Sequence, residues 1–175
     1  MNALPHEAKV VVIGGGIAGC STAYHLAKNG WDTVLIERDV LTSGTTWHAA
    51  GMVTQLGTTP QITKIRKSSV KFYKDLKSIT GQDTSFRHTG TINIATTKSR
   101  YQEYLRQLTT SKLLDLDIDI INKKKFKDLY PIAKNKDIYG GLYIPQDGQA
   151  DPEILTKVIA AAAKKEGVKI FEKCK

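Results

Sequence analysis

Cysteine, tryptophan and long apolar runs are all scarce in this sequence. Its 175 residues include two cysteines, Cys20 and Cys174, which lie far apart and do not have the spacing of metal ligands. They therefore argue against a disulfide framework and an oxidising compartment. We expect Cys20 to be a small buried thiol, because it falls where a helix should pack on a sheet.

The lack of long apolar runs bears on membranes and targeting. No run approaches the length needed to cross a bilayer, so no membrane span is predicted. The stretch from Met1 to Lys9 has no apolar core typical of a signal sequence and no visible transit-peptide character. A cytoplasmic protein is the simplest expectation. The hydrophobic fraction of 41% indicates a folded domain rather than disorder.

The formal net charge of +9 raises the question of a polyanionic partner. Most of the positive charge is lysine, and it is densest in the segment Lys123-Lys124-Lys125-Phe126-Lys127. No nucleic-acid motif or aromatic platform accompanies it, so a nucleic-acid partner is not predicted. A solvated lysine-rich surface is the favoured interpretation, and a polyanion-binding patch is the alternative.

The two ends of the chain have the pattern of a parallel sheet. Lys9 to Ile13 is an apolar, β-branched run that predicts a fully buried strand, followed by a helix over about Ile17 to Lys28. A second buried strand over Thr33 to Ile36 completes a β-α-β unit of about thirty residues. Near the other end, Asp151-Pro152 predicts a capped helix start, and Val168 to Phe171 predicts a third buried strand.

The middle of the chain has a mixed pattern. Leu41 to Gly57 is rich in glycine and threonine and predicts an irregular, functional loop. The elements predicted after it are a long amphipathic helix with Ile62, Ile65, Phe72, Tyr73, Leu76 and Ile79 on one stripe, antiparallel strands over Phe86 to Thr96, a helix over Ser99 to Leu114, a short strand over Ile118 to Ile121, a helix capped by Asn122 that reaches Tyr130, and a strand over Tyr139 to Ile144.

This order of elements predicts an α/β protein in which a nucleotide-binding domain is interrupted by part of a second domain with antiparallel strands. We place the first domain at residues 1–83 and 150–175 and the second at 84–149. A doubly wound sheet with three strands is incomplete, so we expect the chain to be a fragment of a longer enzyme.

A glycine motif lies between the first strand and the first helix. Gly14, Gly16 and Gly19, with Ile17 and Ala18 between them, form G-x-G-x-x-G. These glycines suit a tight turn, a close approach to a pyrophosphate and close helix–strand packing, and the helix N-terminus favours phosphate. Glu37, eighteen residues after Gly19, can accept hydrogen bonds from ribose hydroxyls and disfavours a 2′-phosphate, although Arg38 could accept one. These residues predict a dinucleotide site and leave FAD and NAD open.

The loop after the second strand carries a family resemblance. Its segment Leu41-Thr42-Ser43-Gly44-Thr45-Thr46-Trp47-His48-Ala49-Ala50-Gly51-Met52 closely resembles the flavin-attachment segment of the sarcosine and dimethylglycine dehydrogenases, within the D-amino-acid-oxidase-like flavoenzymes. Leu129-Tyr130-Pro131, Gly141-Leu142-Tyr143-Ile144-Pro145, Asp147-Gly148 and Asp151-Pro152 extend the resemblance along the chain. It is slightly nearer to the sarcosine dehydrogenases. It implies a Rossmann-type FAD-binding domain, incomplete here, interrupted by part of an antiparallel-sheet substrate domain.

The resemblance also implies a covalent cofactor. The histidine that matches His48 bonds through an imidazole nitrogen to the 8α-methyl carbon of FAD. Without this context, a lone loop histidine is more often solvated, and Trp47 is assigned no separate role. His6, His25 and His88 have no partner cluster. The remaining segment residues would line the pyrophosphate and the isoalloxazine: Gly44, Thr45, Thr46, Trp47, Ala49, Ala50, Gly51 and Met52.

The implied reaction is oxidation of the N-methyl group of a small secondary or tertiary amine, such as sarcosine or dimethylglycine, with hydride transfer to flavin N5. The iminium product gives formaldehyde, or a one-carbon unit captured by tetrahydrofolate in a further C-terminal region. Electrons would pass to an electron-transfer flavoprotein or to dioxygen. No catalytic residue is identifiable within these 175 residues. The alternatives are an NAD-dependent dehydrogenase, a non-covalent FAD amino-acid oxidase and a non-catalytic regulatory relative.

Overall fold

The computed structural model describes residues 4–174 and contains five α-helices and nine strands within that range. In chain order these are β1 (Val10–Ile13), α1 (Ile17–Lys28), β2 (Thr33–Ile36), a 3₁₀ helix (Thr45–His48), β3 (Met52–Val53), α2 (Pro60–Thr80), β4 (Arg87–His88), β5 (Thr91–Ala95), α3 (Lys98–Leu113), β6 (Asp119–Ile121), α4 (Lys123–Leu129), β7 (Gly140–Ile144), β8 (Gly148–Gln149), α5 (Pro152–Lys165) and β9 (Lys169–Phe171).

These elements divide into two compact units. The first comprises the residues up to Met52, Phe72–Phe86 and the residues from Ala150 onward, and the second comprises Val53–Lys71 and Arg87–Gln149. Helix α2 contributes residues to both. This division describes compactness, whereas the predicted functional domains (1–83 with 150–175, and 84–149) stay predictions.

The first unit is built on a parallel sheet with strand order β1-β2-β9. Val10 to Ile13 pair in register with Thr33 to Ile36, and Val34 to Ile36 pair with Lys169 to Phe171. Helices α1 and α5 pack against each other, and α1 contacts β1 and β2. Asp151 begins α5 as predicted, since its carboxylate accepts from the amides of Glu153 and Ile154, both at 2.9 Å.

The burial of β1 and β9 differs from the prediction of fully buried strands. Side chains alternate along β1, so Val10 and Val12 are half-buried, while 52% of Val11 and 82% of Ile13 are exposed. The cause is position, since β1 lies at an edge of the sheet and the central strand β2 is the one whose side chains are mostly buried. Strand β9, at the other edge, is likewise only partly covered.

The second unit contains an antiparallel sheet with order β5-β7-β6 and a short antiparallel pair of β4 and β8, which β3 extends. Asn122 caps α4 as predicted, through a 2.9 Å bond from the Lys125 amide. Two apolar clusters lie beside the sheet: the first centres on Ala95, Tyr104, Leu116, Ile118, Leu142 and Ile144, and the second on Ile121, Phe126 and Ile138. The parallel β-α-β structure together with this antiparallel sheet confirms the predicted α/β class.

The apolar stripe predicted for α2 is wrong in its first two turns. Ile62 and Ile65 are exposed there, while Thr63 is almost fully buried. The reason is hydrogen bonding: the Thr63 hydroxyl accepts from the Gly57 amide and donates to the Thr59 carbonyl, both at 3.0 Å. A polar side chain faces inward because it satisfies backbone groups of the preceding loop.

A buried carboxylate joins several loops of the second unit. Asp147 is fully buried, and its two oxygens accept from the Gln55 amide at 2.8 Å and from the Thr91 hydroxyl at 2.6 Å. Its backbone carbonyl accepts from the Gly90 amide at 3.0 Å. These two side-chain hydrogen bonds offset the cost of burying the carboxyl group.

Candidate cofactor site

The turn from β1 to α1 has the geometry that its glycines predict. Gly14 has a φ of +108°, a backbone conformation that residues other than glycine rarely adopt. Its amide donates to the Ile36 carbonyl at 2.8 Å, which holds the turn to the end of β2. A Cβ on Gly19 would overlap the Gly14 carbonyl oxygen, so helix α1 can approach the strand this closely only with glycine there.

The N-terminus of α1 is suited to an anion. Gly16 is the N-cap residue and has no side chain to satisfy the first amides, and the first turn contains no acidic residue. The amide of Ile17 meets the hydroxyl oxygen of Thr46 at 3.2 Å. A twelve-residue helix with a glycine N-cap and no acidic residue in its first turn can present N–H groups and a partial positive charge to a phosphate.

Glu37 lies beside the glycine turn, as predicted from its place at the end of β2. One carboxylate oxygen accepts from the Gly15 amide at 2.6 Å and the other from the Asp39 amide at 2.9 Å. These two backbone hydrogen bonds lower the pKa of Glu37 below its usual range. Arg38 is exposed, and its charge adds a smaller effect in the same direction.

The segment from Leu41 to Met52, called the flavin loop below, folds back over the glycine turn. The Thr42 amide donates to the Gly15 carbonyl at 3.0 Å, and the Leu41 amide donates to a carboxylate oxygen of Glu172 at 2.6 Å. Thr46 is buried, whereas Gly44 and Thr45 are exposed. The structure therefore brings Gly14, Gly16, Ile17, Gly19, Glu37 and Thr46 together at one end of the parallel sheet.

His48 and Trp47 lie on the 3₁₀ helix within this loop, and both are exposed. The His48 Nδ1 atom is 3.3 Å from the Gly44 carbonyl oxygen. The centroids of the two rings are 3.7 Å apart, with an angle of 34° between their planes. The imidazole is thus exposed to solvent, and it contacts the Gly44 carbonyl at its Nδ1 edge and the Trp47 indole at its ring.

The end of the flavin loop lies near the start of α5. Ala49 and Ala50 are exposed, and Met52 is 69% exposed. The Gly51 carbonyl accepts from the Ala150 amide at 2.9 Å, and a Cβ on Gly51 would overlap the Ala150 carbonyl oxygen. The predicted cofactor contacts of Gly14, Gly16, Ile17, Ala18, Gly19, Glu37, Arg38 and Gly44 through Met52 all stay predictions.

Glu172 is a neighbour of the site that the sequence analysis missed. It follows β9 directly, and the carboxyl ends of parallel strands meet at one edge of the sheet. The same rule applies to Glu37, which directly follows β2. Applied to the third strand, it would have placed Glu172 beside the flavin loop.

Comparison with known proteins decides the family. The model of the family described as FAD dependent oxidoreductase, DAO, matches residues 9–175. This chain belongs to that family. Rat (Rattus norvegicus) dimethylglycine dehydrogenase is 43% identical over 163 residues, which is 93% of this chain and 19% of the rat protein. Mouse (Mus musculus) sarcosine dehydrogenase is 39% identical over 173 residues, 98% of this chain and 19% of the mouse protein.

Those identities correct one expectation. The resemblance favoured the sarcosine dehydrogenases slightly, but the dimethylglycine dehydrogenase is the more similar of these two relatives. The crystal structure of L-proline dehydrogenase from P. horikoshii has a TM-score of 0.91 and 28% identity, and the match covers 97% of this chain and 45% of that one. The chain spans about a fifth of the length of the rat dimethylglycine and mouse sarcosine dehydrogenases.

Membership of the FAD-dependent oxidoreductases identifies the dinucleotide, which the glycine motif alone left open. The residues present fit its adenosine-diphosphate part, because the α1 N-terminus, with a glycine N-cap and no acidic residue in its first turn, suits a diphosphate and Glu37 suits ribose hydroxyls. Within residues 4–174 no helix is long and apolar enough to cross a membrane.

Proposed function

We propose that this chain is the cofactor-binding part of an enzyme that oxidises the N-methyl C–H bond of a small secondary or tertiary amine. The observation that carries the proposal is His48, an exposed histidine on a loop that is hydrogen-bonded to the glycine turn. Relatives named for dimethylglycine and sarcosine support this substrate class.

In this proposal each group of residues has a separate task. The glycine turn and the α1 N-terminus hold the diphosphate of FAD, and Glu37 accepts hydrogen bonds from the ribose. The flavin loop places His48 next to the flavin ring. When bound, the flavin would supply the redox chemistry, as the acceptor of a hydride from the N-methyl carbon. The remaining flavin-loop residues exclude water from the flavin ring and set the orientation of that ring.

We further propose that His48 bonds covalently to the 8α carbon of FAD. Forming that bond exchanges one 8α C–H and one imidazole N–H for the new C–N bond. Dioxygen accepts the two electrons and two protons that are released. A covalent bond prevents cofactor loss and raises the flavin potential, which favours oxidation of an unactivated C–H bond beside nitrogen.

Partners and location belong to the same proposal. The iminium product would give formaldehyde, or a one-carbon unit passed to tetrahydrofolate in a part of the protein beyond these residues. The electron acceptor would be an electron-transfer flavoprotein or dioxygen, and oxygen-consumption assays with and without such a carrier distinguish the two. The cytoplasmic location expected from the sequence is tested by cell fractionation, since both relatives are named as mitochondrial.

The decisive experiment is acid precipitation of the intact protein, followed by a search for yellow colour in the pellet. Wild type should retain the colour, and His48→Ala should release it to the supernatant. His6→Ala, a change at another exposed histidine, is the matched control and should behave like wild type.

Other outcomes point to other functions. Colour released from wild type would contradict covalent attachment and indicate a non-covalent FAD amino-acid oxidase. A protein that binds FAD but oxidises neither sarcosine, dimethylglycine nor a related amine would indicate a regulatory flavoprotein.

A further inference from the structure

Two neighbouring side chains meet where helix geometry ordinarily keeps them apart. Trp47 and His48 are consecutive on the 3₁₀ helix, and with about three residues per turn their side chains would leave the axis about 120° apart. Adjacent helical residues do not normally face each other. Here the ring centroids are 3.7 Å apart, so each side chain turns towards the other.

The imidazole edge has a defined partner as well. The Gly44 carbonyl oxygen, 3.3 Å from His48 Nδ1, has lone pairs and no hydrogen, so it can only accept. A hydrogen bond between them therefore requires the proton on Nδ1. Nε2 is then the nitrogen with the free lone pair. In a free histidine side chain the neutral form carries its proton mostly on Nε2, which makes this arrangement the less common one.

Ordinary core packing does not account for Trp47. Its exposed fraction is 53%, so the indole is not used to fill the interior. Within the same loop, Thr46 is the buried residue, and its hydroxyl meets the α1 N-terminus. The Trp47 indole instead contacts the His48 imidazole, with an angle of 34° between the two ring planes.

We propose that Trp47 is a positioning residue for His48. Together with the Gly44 carbonyl it holds the imidazole as the Nδ1–H tautomer, which leaves Nε2 as the nucleophile. The purpose of this arrangement rests on the proposed covalent attachment. As Nε2 forms a bond, positive charge develops on the ring. The Gly44 carbonyl and the indole face both stabilise that charge, the second through a cation–π interaction.

The first experiment needs no flavin. Nitrogen-15 NMR of the His48 ring in this chain distinguishes the two neutral tautomers, and wild type should show mainly Nδ1–H. Trp47→Phe keeps an aromatic face and should remain close to wild type. Trp47→Leu should lower the ratio of Nδ1–H to Nε2–H about two- to tenfold, the range that one aromatic pair supports.

The chain offers a matched control. Trp31 is 52% exposed, nearly the same as Trp47, and lies outside the flavin loop, two residues before β2 begins. Trp31→Leu should leave the His48 tautomer ratio unchanged. A wild-type ring that is mainly Nε2–H, or a ratio that Trp47→Leu does not alter, would overturn the proposal.

The second experiment follows acid-stable flavin over time in the intact protein supplied with FAD. At saturating FAD, Trp47→Leu should slow its accumulation about two- to tenfold, and Trp47→Phe should restore the rate. An equal rate in Trp47→Leu and wild type refutes the positioning role. If wild type gains no acid-stable flavin, the proposed attachment is wrong, and the tautomer measurement still decides whether Trp47 orients His48.

Discussion

Replacing Glu37 with glutamine tests the local electrostatics of the site. The two carboxylate oxygens accept from the Gly15 and Asp39 amides. Glutamine has one acceptor oxygen, so one bond is lost and an NH₂ group faces an N–H. A hydrogen bond to a charged group contributes about 1.5–3 kcal/mol when well shielded. Glu37 is only partly buried and solvent competes, so we expect a loss of about 1 kcal/mol in the free energy of unfolding.

The effect of Glu37 should depend on pH in a defined direction. Its pKa in the folded protein is lowered by the two amides, so the folded state holds the ionised form more strongly than the unfolded state does. At pH values above the ordinary glutamate pKa the stabilisation is complete. As the pH falls, the unfolded chain takes up a proton first, and the stabilisation is lost once the pH passes below the folded pKa.

Urea unfolding followed by tryptophan fluorescence measures this effect, since Trp31 and Trp47 both lie in the same compact unit as Glu37. Glu166→Gln, at an exposed glutamate following α5, is the control and should leave stability unchanged. The difference between wild type and Glu37→Gln should be present near neutral pH and vanish in acid. A difference that persists in acid, or Glu37→Gln matching the control at neutral pH, would refute the hydrogen-bond explanation.

Asp147→Ala should destabilise the second unit by about 2–4 kcal/mol, because the Gln55 amide and the Thr91 hydroxyl lose their acceptor. Asp147→Asn should cost about half as much. Urea unfolding followed by circular dichroism measures both effects. The Cys20 thiol should alkylate far more slowly than Cys174, since burial raises the pKa of Cys20 to about 11. Timed labelling followed by peptide mass spectrometry measures both rates, and similar rates would contradict the prediction. Thr46→Val should lower the free energy of unfolding by about 1 kcal/mol, because the Ile17 amide at the start of α1 loses its bond to the Thr46 hydroxyl. Thr45→Val is the control and should cost little. Equal losses of the two variants in thermal unfolding would count against the role of that bond.

The elements that the sequence predicts well are those decided locally. Helix α1 and strand β2 begin and end where the pattern placed them, because glycines and β-branched runs act within a few residues. The glycine turn and Glu37 are adjacent for the same reason, since a β-α-β unit fixes where its strand ends lie.

The features that the sequence did not predict depend on distant partners. The buried role of Thr63 requires the amide of Gly57, and the burial of Asp147 requires Gln55 and Thr91. Hydropathy alone gives no sign that a threonine or an aspartate will face inward. Nor does the pattern of the flavin loop show that Trp47 turns towards His48, because adjacent residues are normally treated as pointing apart.

The position of β1 at a sheet edge has a practical consequence for handling the isolated chain. Among residues 4–174, β1 pairs with β2 on one side only, and Val11 and Ile13 lie largely exposed on that strand. An apolar edge strand with unpaired backbone groups is a template for another strand. Two copies of this chain can therefore join edge to edge. Concentrated samples should associate, and a charged substitution at Ile13 should keep them monomeric.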